Sequence, residues 1–127
     1  MSRLSEAVRN LYKDTTRKNY SIFFVVVMDM NEEEVPVAVA LEPDGSWRVS
    51  GDDHQNEYLT LYTDDGMIPE GVKTERVSMF RVMQKLFEDD RFNGLCFNPE
   101  QDIPVLVLRH DINTFLDLAA IRRKQLN

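Results

Sequence analysis

The sequence predicts an α+β domain: a mostly antiparallel mixed sheet of about six strands with three helices, in the order α-β-β-β-β-α-β-β-α. Three observations predict it. Segments with a 3.6-residue apolar period lie near both ends and in the middle of the chain. Between them run short apolar or alternating stretches rich in β-branched and aromatic residues. Turn-forming clusters of Gly, Pro, Asn and Asp separate those stretches.

The first segment sets Leu4, Ala7, Val8, Leu11 and Tyr12 on one helical face, with Ser2 as N-cap, and fades near Thr15-Thr16. Ile22-Phe23-Phe24-Val25-Val26-Val27-Met28 shows no alternation, the pattern of a strand buried on both faces. After the acidic turn of Asp29 to Glu34, large residues at Val35, Val37, Val39 and Leu41 alternate with Pro36, Ala38 and Ala40. Pro36 lacks an N–H, which places it at a strand start or on an edge. Pro43-Asp44-Gly45 turns the chain, and a short strand, Ser46 to Val49, folds back.

A polar loop from Gly51 to Asn56 leads to the alternating strand Tyr58-Leu59-Thr60-Leu61-Tyr62. Gly66, Pro69 and Gly71 make Thr63 to Gly71 an irregular connection. Thr74 is then expected to cap a helix carrying Val77, Phe80, Met83 and Phe87, flanked by Met79, Val82 and Leu86. An apolar arc of that width implies a well-buried helix. Gly94 to Phe97 reads as a strand, Asn98 to Asp102 as a turn, and Val105 to Leu108 as a second apolar strand. Asp111 would cap a last helix with Ile112, Phe115, Leu116 and Ala119 inward.

At 127 residues, with 43% hydrophobic and 29% charged residues, the chain fits one globular domain spanning residues 1–127. The amino terminus lacks the apolar core of a signal peptide. The longest apolar run is far short of the roughly 20 residues needed to cross a bilayer. A single cysteine, Cys96, forms no internal disulfide. Together these place the expected setting in the cytoplasm and away from membranes. A net charge of −7 argues against nucleic acid, since phosphate neutralisation needs clustered Lys and Arg. Only Arg17-Lys18 and Arg122-Arg123-Lys124 form such clusters, and the latter suits a helix C-terminus.

Each candidate for chemistry lacks a component. Asp89, Asn93, Gly94 and Glu100 match four positions of a calcium-binding loop, but Arg91 stands where an oxygen ligand is needed and a strand follows. His54 beside Asp52 and Asp53, and His110 beside Arg109 and Asp111, lack zinc-site spacing. Cys96 lies in an apolar run, where a thiol packs as a small hydrophobe. Gly66 and Gly71 are isolated, so no glycine-rich phosphate cradle forms. The adjacent acids Asp52-Asp53, Asp64-Asp65 and Asp89-Asp90 read as solvated. No catalytic residue, metal or cofactor is assigned.

Over roughly Leu4 to Leu118 the chain resembles the amino-terminal domain of the SseB family. The likeness rests on the leading helix and the apolar segment Phe23 to Met28. It continues through the Pro36 to Leu41 strand, Asp44-Gly45, Tyr58 to Asp64, and the Gly94-Leu95-Cys96-Phe97-Asn98-Pro99 turn. Tyr62 and Asp64 depart from the family's phenylalanine and serine. The resemblance implies a bacterial cytoplasmic protein of poorly defined role and supplies no catalytic residue. Asn98-Pro99 and Thr63 have structural explanations as turn and strand end. They also admit a functional one, in which Tyr62, Thr63, Asp64, Asn98 and Pro99 form an interaction rim.

The function expected from these residues is a non-enzymatic protein-interaction or regulatory domain. It would act through its acidic surface and the Tyr62–Gly71 connection on a protein partner with a basic face. The alternative is a small-molecule sensor or minor enzyme with a pocket between sheet and helices, His54 or His110 at its edge. A homodimer formed through an edge strand or the amino-terminal helix is a third possibility.

Overall fold

The computed structural model describes residues 2–51, 55–100 and 105–113. Its class is α+β, with a six-stranded mixed sheet. The first helix, α1 (Arg3–Lys13), begins at the Ser2 cap, whose hydroxyl accepts the Ser5 N–H. Its apolar face is spent on the core: Leu4, Ala7, Val8 and Leu11 are all buried. Each large side chain among them contributes about 1.5–3 kcal/mol of burial.

The second element corrects the sequence reading. Ile22 to Met28 is not a strand but the middle of a 16-residue helix, α2 (Arg17–Glu32). Thr16, expected to mark only the fading of the first helix, caps the second by accepting the Asn19 N–H. The Asn19 amide donates to the carbonyls of Asn10 and Asp14, which closes the tight link between the two helices. Phe23, Phe24, Val26 and Val27 face inward at helical spacing. Ile22 and Val25 are apolar but exposed, so the polar gaps that reveal a helical period are filled. The helix ends in a Schellman motif: the Val35 and Glu34 N–H groups return to the Met30 and Asn31 carbonyls, with Glu34 at φ 57°.

Strand β1 (Pro36–Ala40) follows, with Pro36 at its start as expected. It pairs antiparallel with both β3 (Glu57–Tyr62) and β4 (Thr74–Ser78). The Pro43-Asp44-Gly45 turn forms, held by Asp44 Oδ1 accepting from the Ser46 N–H and hydroxyl, with Gly45 at φ 90°. Its returning strand lies later than Ser46 to Val49. Trp47 makes one isolated bridge to Leu41, and β2 (Val49–Gly51) pairs with β3. β1 and β2 thus share one edge of β3, and residues 42–46 loop out between them.

Thr74 does not cap a helix. Thr74–Ser78 forms β4, and Ser78 caps α3 (Met79–Glu88) by accepting the Arg81 N–H. β5 (Phe92–Phe97) then pairs parallel with β3, and β6 (Val105–Leu108) pairs antiparallel with β5. The strand order is β4-β1-β3-β5-β6, with β2 beside β3. A helical segment begins at residue 109, ahead of Asp111, and is described to 113. Phe115, Leu116 and Ala119 lie outside the described residues, as do His54 and the pair Asp52-Asp53.

Alternation sorts the strands into two faces. Val37, Val39, Leu59, Leu61, Leu95, Phe97, Val105 and Val107 join the helices in the main core. Ala38, Ala40 and Tyr62 point the other way, where Met67, Ile68 and Val72 of the 63–73 connection cover them. That connection is therefore partly a lid over the sheet, with its apolar side chains turned inward. Arg109 closes the far end of α3, donating to the carbonyls of Leu86, Asp89 and Phe92.

Candidate functional site

The structure brings Tyr62, Thr63, Asp64 and Asn98 together at the carboxyl ends of the parallel strands β3 and β5. Asn98 is 3% exposed and holds φ 54°, a conformation asparagine tolerates better than most residues. Its N–H donates to the Leu61 carbonyl at 2.9 Å. Its side chain accepts the Thr63 N–H and donates to Thr63 Oγ1, both at 3.1 Å. The Thr63 hydroxyl donates to Asp64 Oδ2 at 3.2 Å.

Asp64 also meets the start of α1. Its Oδ1 accepts the Ser2 N–H at 3.4 Å. Burial alone would raise its pKa, but hydrogen bonds from the Ser2, Ser5 and Thr63 hydroxyls and the Ser2 N–H outweigh it and hold the pKa below 3.8. A carboxylate at a helix N-terminus also complements the macrodipole. On the other side, Tyr62 Oη donates to Glu100 Oε1 at 2.7 Å. Burial first, then that bond, raises the phenol's pKa. The side-chain polar groups of Tyr62, Thr63, Asp64 and Asn98 each meet another from the chain itself. The arrangement is a lock joining α1, β3 and the 98–100 turn; Pro99, half-buried, follows the lock without a polar part in it.

The remaining candidates are dispersed. The segment from Asp89 to Glu100 does not wrap a common centre. Asp89 Oδ1 accepts the Arg91 N–H, Asn93 donates to Asn56, Gly94 lies within β5, and Glu100 serves Tyr62. Cys96 is buried in β5, and desolvation raises its thiol pKa, which favours the unreactive protonated form. His110 is exposed in the 109–113 segment.

A second feature was missed by the sequence reading. The buried stripe of α3 is Met79, Val82 and Leu86. The stripe expected to be central, Phe80, Met83 and Phe87, turns sideways instead, leaving Phe80 61% and Phe87 39% exposed. Opposite it, α2 presents Phe24, Val27 and Met28, and Ile112 closes one side. Together they line a groove of about 440 Å³ whose polar margin is Asn31, Gln84 and Glu88. The signal was present as two apolar stripes on one helix. A period count cannot say which of them the sheet will cover.

No family model matches the chain, and neither a curated protein nor a solved structure matches it.

Proposed function

We propose that this chain is a non-enzymatic protein-interaction domain whose contact face is the groove between α2 and α3. The observation that carries the reading is the second apolar stripe of α3: Phe80 and Phe87 face solvent while Met79, Val82 and Leu86 satisfy the core. Exposed apolar surface of this kind, bordered by polar residues, marks interaction sites. Two helices flanking a trough accept an amphipathic helix, with anchors at i, i+3 or i+4, and i+7. Met28 and Met83 supply adaptable walls. Glu88 at the margin and the net charge of −7 favour a partner helix edged with Lys or Arg. The bacterial cytoplasmic setting implied by the SseB resemblance belongs to the same proposal.

The test uses the full chain with Phe80→Asp and Phe87→Asp. Each variant is compared with the parent for thermal stability and for capture of apolar, basic-edged helical peptides from a displayed library. The expected result is loss of peptide capture in both variants, with little change in Tm for Phe80→Asp, because substitutions at well-exposed sites alter stability by only about 0.5 kcal/mol. A large fall in Tm in Phe80→Asp would show that the chain itself covers this face and would end the proposal. Equal capture by both variants would also end it.

The lock at Tyr62, Thr63, Asp64 and Asn98 is a weaker contact surface, since its polar groups are internally engaged. The small-molecule alternative keeps a cavity between helices, although His110 is not among the residues lining the α2/α3 groove and His54 lies outside the described residues.

A further inference from the structure

At the opposite end of β5 from the lock lies a cleft of about 490 Å³, inside the range typical of small-molecule sites, roughly 300–1,000 Å³. The turn before β2, the edge strand β4, the helix α3 and the start of β5 each contribute to it. Its principal lining residues are Trp47, Glu75, Arg81, Lys85, Arg91 and Phe92. Three cations and one carboxylate line it, with Glu57 and Asp89 standing behind Arg91, so its cationic end is Arg81 and Lys85.

The three cations are not equally occupied. Arg91 lies over the Phe92 ring at 4.5 Å and is paired with Glu57 at 3.3 Å and Asp89 at 3.6 Å. Arg81 lies 6.0 Å from the Trp47 ring centroid and donates to the neutral Gln84 side chain. Lys85 is half-buried and, among the described residues, has neither a hydrogen-bond acceptor nor a carboxylate partner.

Helix physics does not account for this placement. Lys85 in the last turn of α3 suits the helix dipole, but Arg81 sits in the first turn, where a cation opposes it. The two are also four residues apart on one helix, a like-charge spacing that destabilises it by about 0.2–0.5 kcal/mol. An anion seated between Arg81 and Lys85 offsets both the dipole opposition and the like-charge repulsion.

The other end of the cleft has different chemistry. Glu75 Oε2 accepts the Trp47 indole N–H at 3.3 Å, and among the described residues its second oxygen has no donor. The indole itself is half-buried and borders the cavity. A cationic end, an aromatic wall and a carboxylate acceptor match a phosphomonoester carried by a planar ring that has N–H donors. We propose that this cleft binds a 5′-mononucleotide. Its phosphate lies between Arg81 and Lys85 with Arg91 behind, its base lies along Trp47, and a base N–H donates to Glu75. Side-chain cations here take the place of the glycine-rich cradle that the sequence lacks. The proposal is independent of the α2/α3 groove.

Trp47 is the only tryptophan in the chain, so its emission reports directly on the cleft. The full chain is titrated at low ionic strength with AMP and GMP, and in separate arms with inorganic phosphate and adenosine. Calorimetry serves as a second readout. The expected result is a saturable response to at least one mononucleotide, weakened by salt, and weakened about tenfold or more in Lys85→Gln and in Arg81→Gln. Tm is measured for both variants, and a lost response at the parent's Tm reports the anion contact and not the fold. Absence of saturation with both nucleotides overturns the proposal, as does an undiminished response in the two variants. Inorganic phosphate binding as tightly as AMP overturns the ring contact, and adenosine binding as tightly as AMP overturns the anion site.

Discussion

Asn98 offers the sharpest test of how the ends of β3 and β5 are joined. Two separable effects meet there: a left-handed backbone at φ 54° and a side chain with two hydrogen bonds to Thr63. In Asn98→Gly the backbone is relaxed but both side-chain bonds vanish, leaving the Thr63 N–H without its acceptor. At about 1 kcal/mol for a typical bond and about 1–3 for an orphaned buried group, the expected loss is about 2–3 kcal/mol. Asn98→Ala suffers the same loss and adds about 1 kcal/mol for a Cβ in the left-handed region. The measurement is urea unfolding followed by Trp47 emission. With a slope of about 1–3 kcal/mol/M, the glycine variant should move the midpoint down by about 1–2 M and the alanine variant further. Equal midpoints for the two would remove the backbone contribution. A glycine variant within about 0.3 kcal/mol of the parent would refute the lock itself and return Asn98 to the set of potential contact residues.

Gly94→Ala tests a second close approach, since a Cβ there would lie 2.1 Å from the Val107 carbonyl oxygen and 3.0 Å from Leu108 Cα. Backbone cannot yield as a flexible side chain would, so we expect at least about 3 kcal/mol of destabilisation. That corresponds to a Tm lower by about 10 °C in calorimetry, and a shift under about 2 °C would contradict the geometry. Asp64→Asn tests the acid limb. The folded pKa lies below the unfolded value of 3.8, so the carboxylate's contribution is complete above that value and lost as pH falls through the folded pKa. The gap in stability between parent and variant should therefore be widest near neutral pH and close below about pH 4. A gap that is constant with pH would show that Asp64 acts by shape and not by charge.

The legible parts of the fold were those where local chemistry and burial agree. Ser2 caps α1, Pro36 opens β1, Asp44-Gly45 turns the chain, and Val105–Leu108 pairs as an apolar strand. The sequence also named Tyr62, Thr63, Asp64 and Asn98, which the fold joins across 35 residues of chain. It could not show that they satisfy one another, because that depends on the parallel register of β3 and β5. The cleft was illegible for a different reason. Trp47, Glu75, Arg81, Lys85 and Arg91 come from four separate elements, and apart from Arg81 and Lys85 on one helix no spacing along the chain links them.

The misreading of α2 differs in kind from these. Its end carries no glycine, because Glu34 occupies the left-handed position itself, and its start was absorbed into the preceding helix. The decisive confusion came from Ile22 and Val25. Without them, Phe23, Phe24, Val26 and Val27 would have shown a helical period. The core does not require apolar residues at those two positions, since Val25 is 52% exposed. Neither Val25 nor Ile22 is among the groove-lining residues of α2, which are Phe24, Val27, Met28 and Asn31. Phe80 and Phe87 produced the parallel error in α3, where an exposed stripe was counted as core. Both errors arise from apolar side chains that packing within the described domain leaves exposed, but only those of α3 line the groove. Local rules fail together where a surface has a second requirement to meet.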